Sequence, residues 1–175
     1  MQIHNLILTG FRATGKTLVG RLVAAQLHWI FLDTDELVRQ RLGAPIAEVV
    51  ARHGWPFFRT AERQLLRELT MTMRQTVLAT GGGAIEHHQE WRELMRCALV
   101  VWLDAESDTI RQRLQDDPDS GHQRPSLTGQ TVTDEIERLL EHRRPMYAAG
   151  SDLRISTEGR TPEQLAVEIV QKMHN

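Results

Sequence analysis

With 175 residues, the chain is long enough to form one ordinary domain with a substantial core. Its hydrophobic fraction of 41%, charged fraction of 25% and net charge of −2 are globular values that argue against bulk attraction to nucleic acid or a membrane surface. No apolar run nears the roughly 18 residues that span a bilayer, and the start MQIHNLILTG does not read as a signal peptide. The single cysteine, Cys97, makes no internal disulfide, so a reducing cytoplasmic setting is expected.

In chain order, the first strand is predicted over 6–9, followed by a helix over 16–27 whose Leu18, Val19, Leu22, Val23 and Leu27 keep a 3.6 period. A second strand is predicted over 29–32, then helices over 46–53 and 57–73 and a strand over 76–79. The remaining pattern gives a helix over 89–97, a strand over 98–103, helices over 108–115 and 132–147, a strand over 153–156 and a helix over 162–173. Thr161 and Pro162 provide an N-cap and a first-turn proline for that last helix. Strands alternating with helices imply a parallel sheet covered on both faces. Residues 115–130, QDDPDSGHQRPSLTGQ, are polar, rich in turn formers and without a period. A segment of this kind is either functional or disordered.

The stretch GFRATGKT, residues 10–17, fits the phosphate-binding pattern G-x-x-x-x-G-K-[ST] between a strand and a helix. Gly10 and Gly15 allow the tight turn, and backbone N–H groups with the helix N-terminus favour phosphate oxygens. Lys16 is placed to reach the β- and γ-phosphates, and Thr17 to offer its hydroxyl to Mg²⁺. This predicts nucleoside triphosphate binding without naming a reaction.

In FLDTDE, residues 31–36, an apolar run ends in Asp33 and Asp35. Either acid could simply cap the next helix. Residues two apart at a strand end leave on the same side, however, so both carboxylates are expected to face the crevice beyond the strands. The strand at 76–79 runs into TGGG, whose glycines expose backbone N–H groups and leave room for a ligand. In WPFFRTAE, Arg59 and Glu62 share a face if the stretch is helical and can then fix the direction of the guanidinium, a solvated surface pair being the alternative. Arg124 lies in QRPSL within the irregular segment, and Arg143 lies in HRRPMY. The eight histidines show no i, i+4 pair, so no metal beyond Mg²⁺ is expected.

Taken together, the order GFRATGKT, FLDTDE, FFRTAE, ATGGG, QRPSLTG, HRRPMY resembles the shikimate kinases over nearly the whole chain. The resemblance implies a three-layer α/β P-loop kinase fold, with a five-stranded parallel sheet of order 2-3-1-4-5 and helices on both faces. Residues 1–175 would form one domain with a mobile lid at about 115–130. The implied activity is transfer of phosphate from ATP to the 3-hydroxyl of shikimate, on the route to chorismate and the aromatic amino acids. The partners would be small molecules, shikimate and ATP, with Mg²⁺ as cofactor, in a cytoplasmic monomer. By motif match, Asp35, Arg59, Gly81, Gly82, Gly83 and Arg143 would bind shikimate, Asp35 nearest the attacking oxygen. Gly10, Ala13, Thr14, Gly15, Lys16, Thr17 and Leu18 would bind nucleotide, with Arg113 and Arg160 on the adenine side. Arg124 would descend with the lid onto the transferring phosphate, and Thr17 and Asp33 would hold Mg²⁺.

Ala13 and Thr14 depart from that family's common pattern of a third glycine and a small residue. Leu18 stands where Ser or Thr is frequent, and Val50 where many members have phenylalanine. Alanine at position 13 costs little at negative φ and is strained at positive φ. Two other readings compete with the resemblance: another small-molecule P-loop kinase acting on gluconate or a nucleotide, and a non-catalytic binding module of the same fold.

Overall fold

The computed structural model describes residues 4–116 and 132–174. Its strands are β1 (Asn5–Thr9), β2 (Ile30–Asp33), β3 (Thr76–Ala79), β4 (Leu99–Asp104) and β5 (Leu153–Ser156). Between and after them run α1 (Lys16–Leu27), α2 (Thr34–Leu42), α3 (Ile46–Thr72), α4 (His88–Cys97), α5 (Ser107–Asp116), α6 (Val132–Ala149) and α7 (Pro162–His174). A 3-10 turn, Ala84–Glu86, follows β3.

All strand pairs are parallel and the sheet order is β2-β3-β1-β4-β5, as the resemblance implied. Strand alternation explains why these runs are apolar throughout. Ile7, Leu78, Val100 and Trp102 face a core shared with α3 and α4, where Phe58, Leu66, Trp91 and Leu94 are buried. Leu6, Leu8, Val77, Val101 and Leu103 face the opposite core, shared with Val19 and Val23 of α1 and Leu165 and Ile169 of α7. A smaller cluster of Phe11, Ala105, Ile110, Ile136 and Leu140 packs under the loop after β1 and fastens it to α5 and α6. Among the described residues, no helix is long and apolar enough to cross a membrane.

Two differences from the sequence reading affect the site. The second strand is shifted by one residue, so Asp33 ends β2 and also N-caps α2. Helix α2 was given no range in the sequence reading, because only Thr34 and Val38 of its nine residues are buried and its apolar stripe is too thin to mark a period. The two helices expected over 46–53 and 57–73 are both present as the halves of α3, which is broken at Gly54, where φ is 79° and ψ 167°. Pro56 then sits in the first turn of the second half, where a missing N–H costs nothing. Residues 117–131, and with them most of the expected lid and Arg124, lie outside the described residues.

Candidate active site

The loop between β1 and α1 is shaped by positive φ angles at Gly10 (135°), Ala13 (60°) and Gly15 (89°). A side chain at Gly10 would collide with the Leu103 carbonyl, so glycine is required there by space as well as by φ. The Thr14 hydroxyl donates to the Phe11 carbonyl at 2.9 Å, and Lys16 Nζ donates to the same oxygen at 2.5 Å. At the N-terminus of α1, Gly15 supplies no side-chain cap and the first turn holds no acid. Its N–H groups and positive dipole end are therefore available to an anion. Ala13 takes the left-handed conformation, the costly case for a residue with a Cβ.

Asp33 caps α2 and also reaches the P-loop side. Its Oδ1 accepts from the Asp35 N–H at 3.0 Å, capping α2, while its Oδ2 accepts from the Thr17 hydroxyl at 2.7 Å. Asp35 lies in the first turn of α2, not on the strand, so strand alternation does not place it. Both acids nevertheless line one cavity of about 180 Å³ with Ala13, Lys16, Thr17, Thr80 and Gly82. A larger cavity of about 650 Å³ continues from the same acids past Arg21, Glu36, Arg39, Pro45 and Ile46. Between the acids, the fully buried Thr34 accepts from the Gly81 N–H at 2.8 Å and ties the end of β2 to the turn after β3.

That bond corrects, at Gly81, the expectation that the triple glycine exposes its N–H groups. The Gly81 N–H is engaged by Thr34, and the Gly82 carbonyl accepts from the buried Tyr147 hydroxyl at 2.5 Å. Gly83 is the floor on which the Arg59 guanidinium rests, because a Cβ there would overlap both terminal nitrogens. The glycines thus give close approach to a side chain as well as to a ligand.

Arg59 and Arg143 come together although 84 residues separate them in sequence. Arg59 Nη1 donates to Glu62 Oε2 at 2.6 Å, and its guanidinium packs against the Trp55 and Phe58 rings. Arg143, 5% exposed on α6, donates from Nε to Glu86 Oε1 at 2.9 Å, while Glu86 Oε2 stands 3.7 Å from Arg59 Nη2. Glu62 Oε2 also accepts from His87 Nε2 at 2.9 Å. Burial pushes the Glu62 carboxyl up, but the His87 hydrogen bond and the Arg59 charge together hold it below its ordinary range.

On the other flank, Arg113 donates from Nη1 to the Ala13 carbonyl (3.2 Å) and the Thr157 hydroxyl (3.1 Å), and from Nη2 to the Thr157 carbonyl. It braces the P-loop against the turn after β5. Arg160 closes that turn through its N–H to the Thr157 carbonyl and pairs with Glu168 at 2.5 Å. Leu18 is half-exposed at the start of α1. Sequence reasoning missed Thr34, Glu86, His87 and Tyr147 as parts of the site. Thr34 was legible in FLDTDE, while Glu86 and His87 show only as polar residues shortly after the triple glycine.

A P-loop after β1, acids after β2 and paired arginines beside the next strand end define a small-molecule kinase of the P-loop class. A family model described as shikimate kinase matches residues 12–174. A shikimate kinase from Moorella thermoacetica is 42% identical over 169 residues, covering 97% of this chain and 94% of that one. One from Syntrophus aciditrophicus is 38% identical over 180 residues, covering 98% and 92%. The solved structure of Acinetobacter baumannii shikimate kinase in complex with shikimate superposes with a TM-score of 0.90 at 33% identity, covering 98% of this chain and 93% of that chain. A gluconokinase structure from Sinorhizobium meliloti, 13% identical with a TM-score of 0.56, shares the fold alone. The chain belongs to the shikimate kinase family.

Proposed function

We propose that this chain transfers the γ-phosphoryl group of ATP to the 3-hydroxyl of shikimate, giving shikimate 3-phosphate and ADP on the route to chorismate. The observation that carries the reading is the convergence of Arg59 and Arg143 on one carboxylate beside the P-loop end of the sheet. A small acceptor bearing one carboxylate and several hydroxyls needs such a pair of guanidinium groups for its anion.

Gly10, Ala13, Thr14 and Gly15 shape the cradle for the nucleotide phosphates, with Leu18 at its edge. Lys16 leaves the Phe11 carbonyl, to which it now donates, and offsets charge on the β- and γ-phosphates. Arg113 and Arg160 flank the adenine side. Gly81, Gly82 and Gly83 floor the acceptor ring, and Asp35 orients the attacking hydroxyl and stands ready to take its proton.

The Thr17 hydroxyl and Asp33 carboxylate, 2.7 Å apart at the P-loop, are hard oxygen donors that suit Mg²⁺. Bound there with phosphate oxygens and water, the ion would neutralise developing phosphate charge. Catalysis then rests on alignment and charge compensation.

Residues 115–130 close as a lid that excludes water and brings Arg124 to the transferring phosphate, a role supported by sequence order alone. The same reading makes residues 1–175 one domain that works as a cytoplasmic monomer, without nucleic acid or membrane partners, as its small net charge supports. Incubation with MgATP and shikimate, followed by ³¹P and ¹H NMR, tests the regiochemistry. Phosphate coupled to the 3-position proton is expected, and phosphate at another hydroxyl would refute the placement of Asp35.

A further inference from the structure

The two arginines assigned above to the substrate carboxylate already share a carboxylate. Arg143 Nε donates to Glu86 Oε1 at 2.9 Å, and the other oxygen, Oε2, stands 3.7 Å from Arg59 Nη2. One oxygen toward each guanidinium is also how a bound substrate carboxylate would divide itself between them. The two glutamates of the cluster differ in kind. Glu62 is 1% exposed and is held by both Arg59 and His87, so it is a fixed support. Glu86 is 29% exposed, so its side chain already reaches solvent, and it stands at the end of a three-residue 3-10 turn.

We propose that Glu86 is an internal counter-ion that takes the place of the substrate carboxylate in the empty site and is displaced when substrate binds, setting acceptor affinity and charge selectivity. The assignment rests on the shikimate reading given above. Its physical basis is a charge count. Arg59 and Arg143 bring two positive charges and Glu62 and Glu86 two negative ones, with His87 bonded to Glu62 on the far side. A substrate carboxylate entering beside a retained Glu86 would leave excess negative charge in a partly buried pocket, where repulsion is stronger than in water. Rotation of Glu86 into solvent removes that excess. Arg143, buried to 5% exposure, is then compensated in both states, by Glu86 when the site is empty and by substrate when it is full.

Glu86→Gln keeps the shape and removes the charge, so it separates a counter-ion from a simple prop. Steady-state kinetics are measured for wild type and variant with shikimate and with its neutral methyl ester. For Glu86→Gln, the shikimate KM is expected to fall about two- to fivefold, the scale of one partly exposed ion pair, while the MgATP KM and the ester KM stay unchanged. A shikimate KM that rises or stays level, or an ester KM that falls equally, overturns the proposal. Glu86→Ala carries the same expectation and serves if the amide variant folds poorly. Wild-type turnover of shikimate is measured first. Its absence refutes the acceptor assignment itself, whereas the sign of the KM change in an active enzyme tests Glu86 alone.

Discussion

Glu62→Ala perturbs the support on which the acceptor site is built. One buried oxygen of Glu62 accepts from Arg59 at 2.6 Å and from His87 at 2.9 Å, and among the described residues its other oxygen has no partner. Removing the side chain leaves a nearly buried His87 N–H and the Arg59 guanidinium without this acceptor. Breaking a buried pair in this way costs about 3–5 kcal/mol. Arg59 is 21% exposed and keeps Glu86 nearby, which brings the expected loss to about 2–4 kcal/mol. For a chain of this size that corresponds to a Tm lowered by about 4–16 °C in calorimetry at neutral pH. The shikimate KM should rise about tenfold or more, because Arg59 loses the partner that aims it.

The pH dependence of the wild type carries the same argument. The folded-state carboxyl of Glu62 titrates below its ordinary range, so protonation favours the unfolded chain. Its contribution is fully present above the unfolded value near ~4.3 and is lost as pH falls through the lower folded value. Glu62→Ala should therefore flatten the acid limb of the stability curve. A variant within about 0.5 kcal/mol of wild type, with an unchanged acid limb, would refute the reasoning.

Ala13→Gly should stabilise the protein by about 0.5–1 kcal/mol, the left-handed penalty of alanine less the extra chain entropy of glycine. Urea unfolding checks it, and a destabilised variant would contradict the backbone assignment. Asp33→Asn keeps an N-cap for α2 but removes the charge beside Thr17. Its thermal stability should hold within about 1 kcal/mol, while the Mg²⁺ concentration for half-maximal rate rises about tenfold. Gly83 has an ordinary φ of −94°, and the three atoms nearest to a Cβ there all belong to the Arg59 guanidinium, so Gly83→Ala acts first on that contact. It should raise the shikimate KM about tenfold with Tm and MgATP KM little changed, and equal effects on both KM values would count against that contact.

The parts legible in the sequence were those whose signal is local. The P-loop glycines and Lys16 sit in one contiguous motif, and buried strands such as Thr76–Ala79 are short apolar runs bounded by turn formers. Two acids in FLDTDE announced a site, but the reason given for Asp35 was wrong. Strand β2 ends at Asp33, and the cap that Asp33 forms turns the chain into helix α2, which swings Asp35 to the cavity. What stayed hidden depends on tertiary approach. Nothing local shows that Glu86 will lie between arginines 27 and 57 residues away, or that Gly81 will donate to Thr34 from 47 residues off. The departure at Ala13 was visible in the motif, while its cost became definite only with a φ of 60°.

The central claim is that one acceptor fits the Arg59–Arg143 pair and Asp35 beside the P-loop. The most direct measurement is kcat/KM with MgATP across shikimate, gluconate and nucleoside monophosphates, followed by coupled ADP release. The account predicts turnover of shikimate at least a hundredfold above every other acceptor, about the discrimination that a paired carboxylate and oriented hydroxyls can supply. Equal or faster turnover of gluconate or a nucleotide would contradict it, as would tight shikimate binding with no ADP formed.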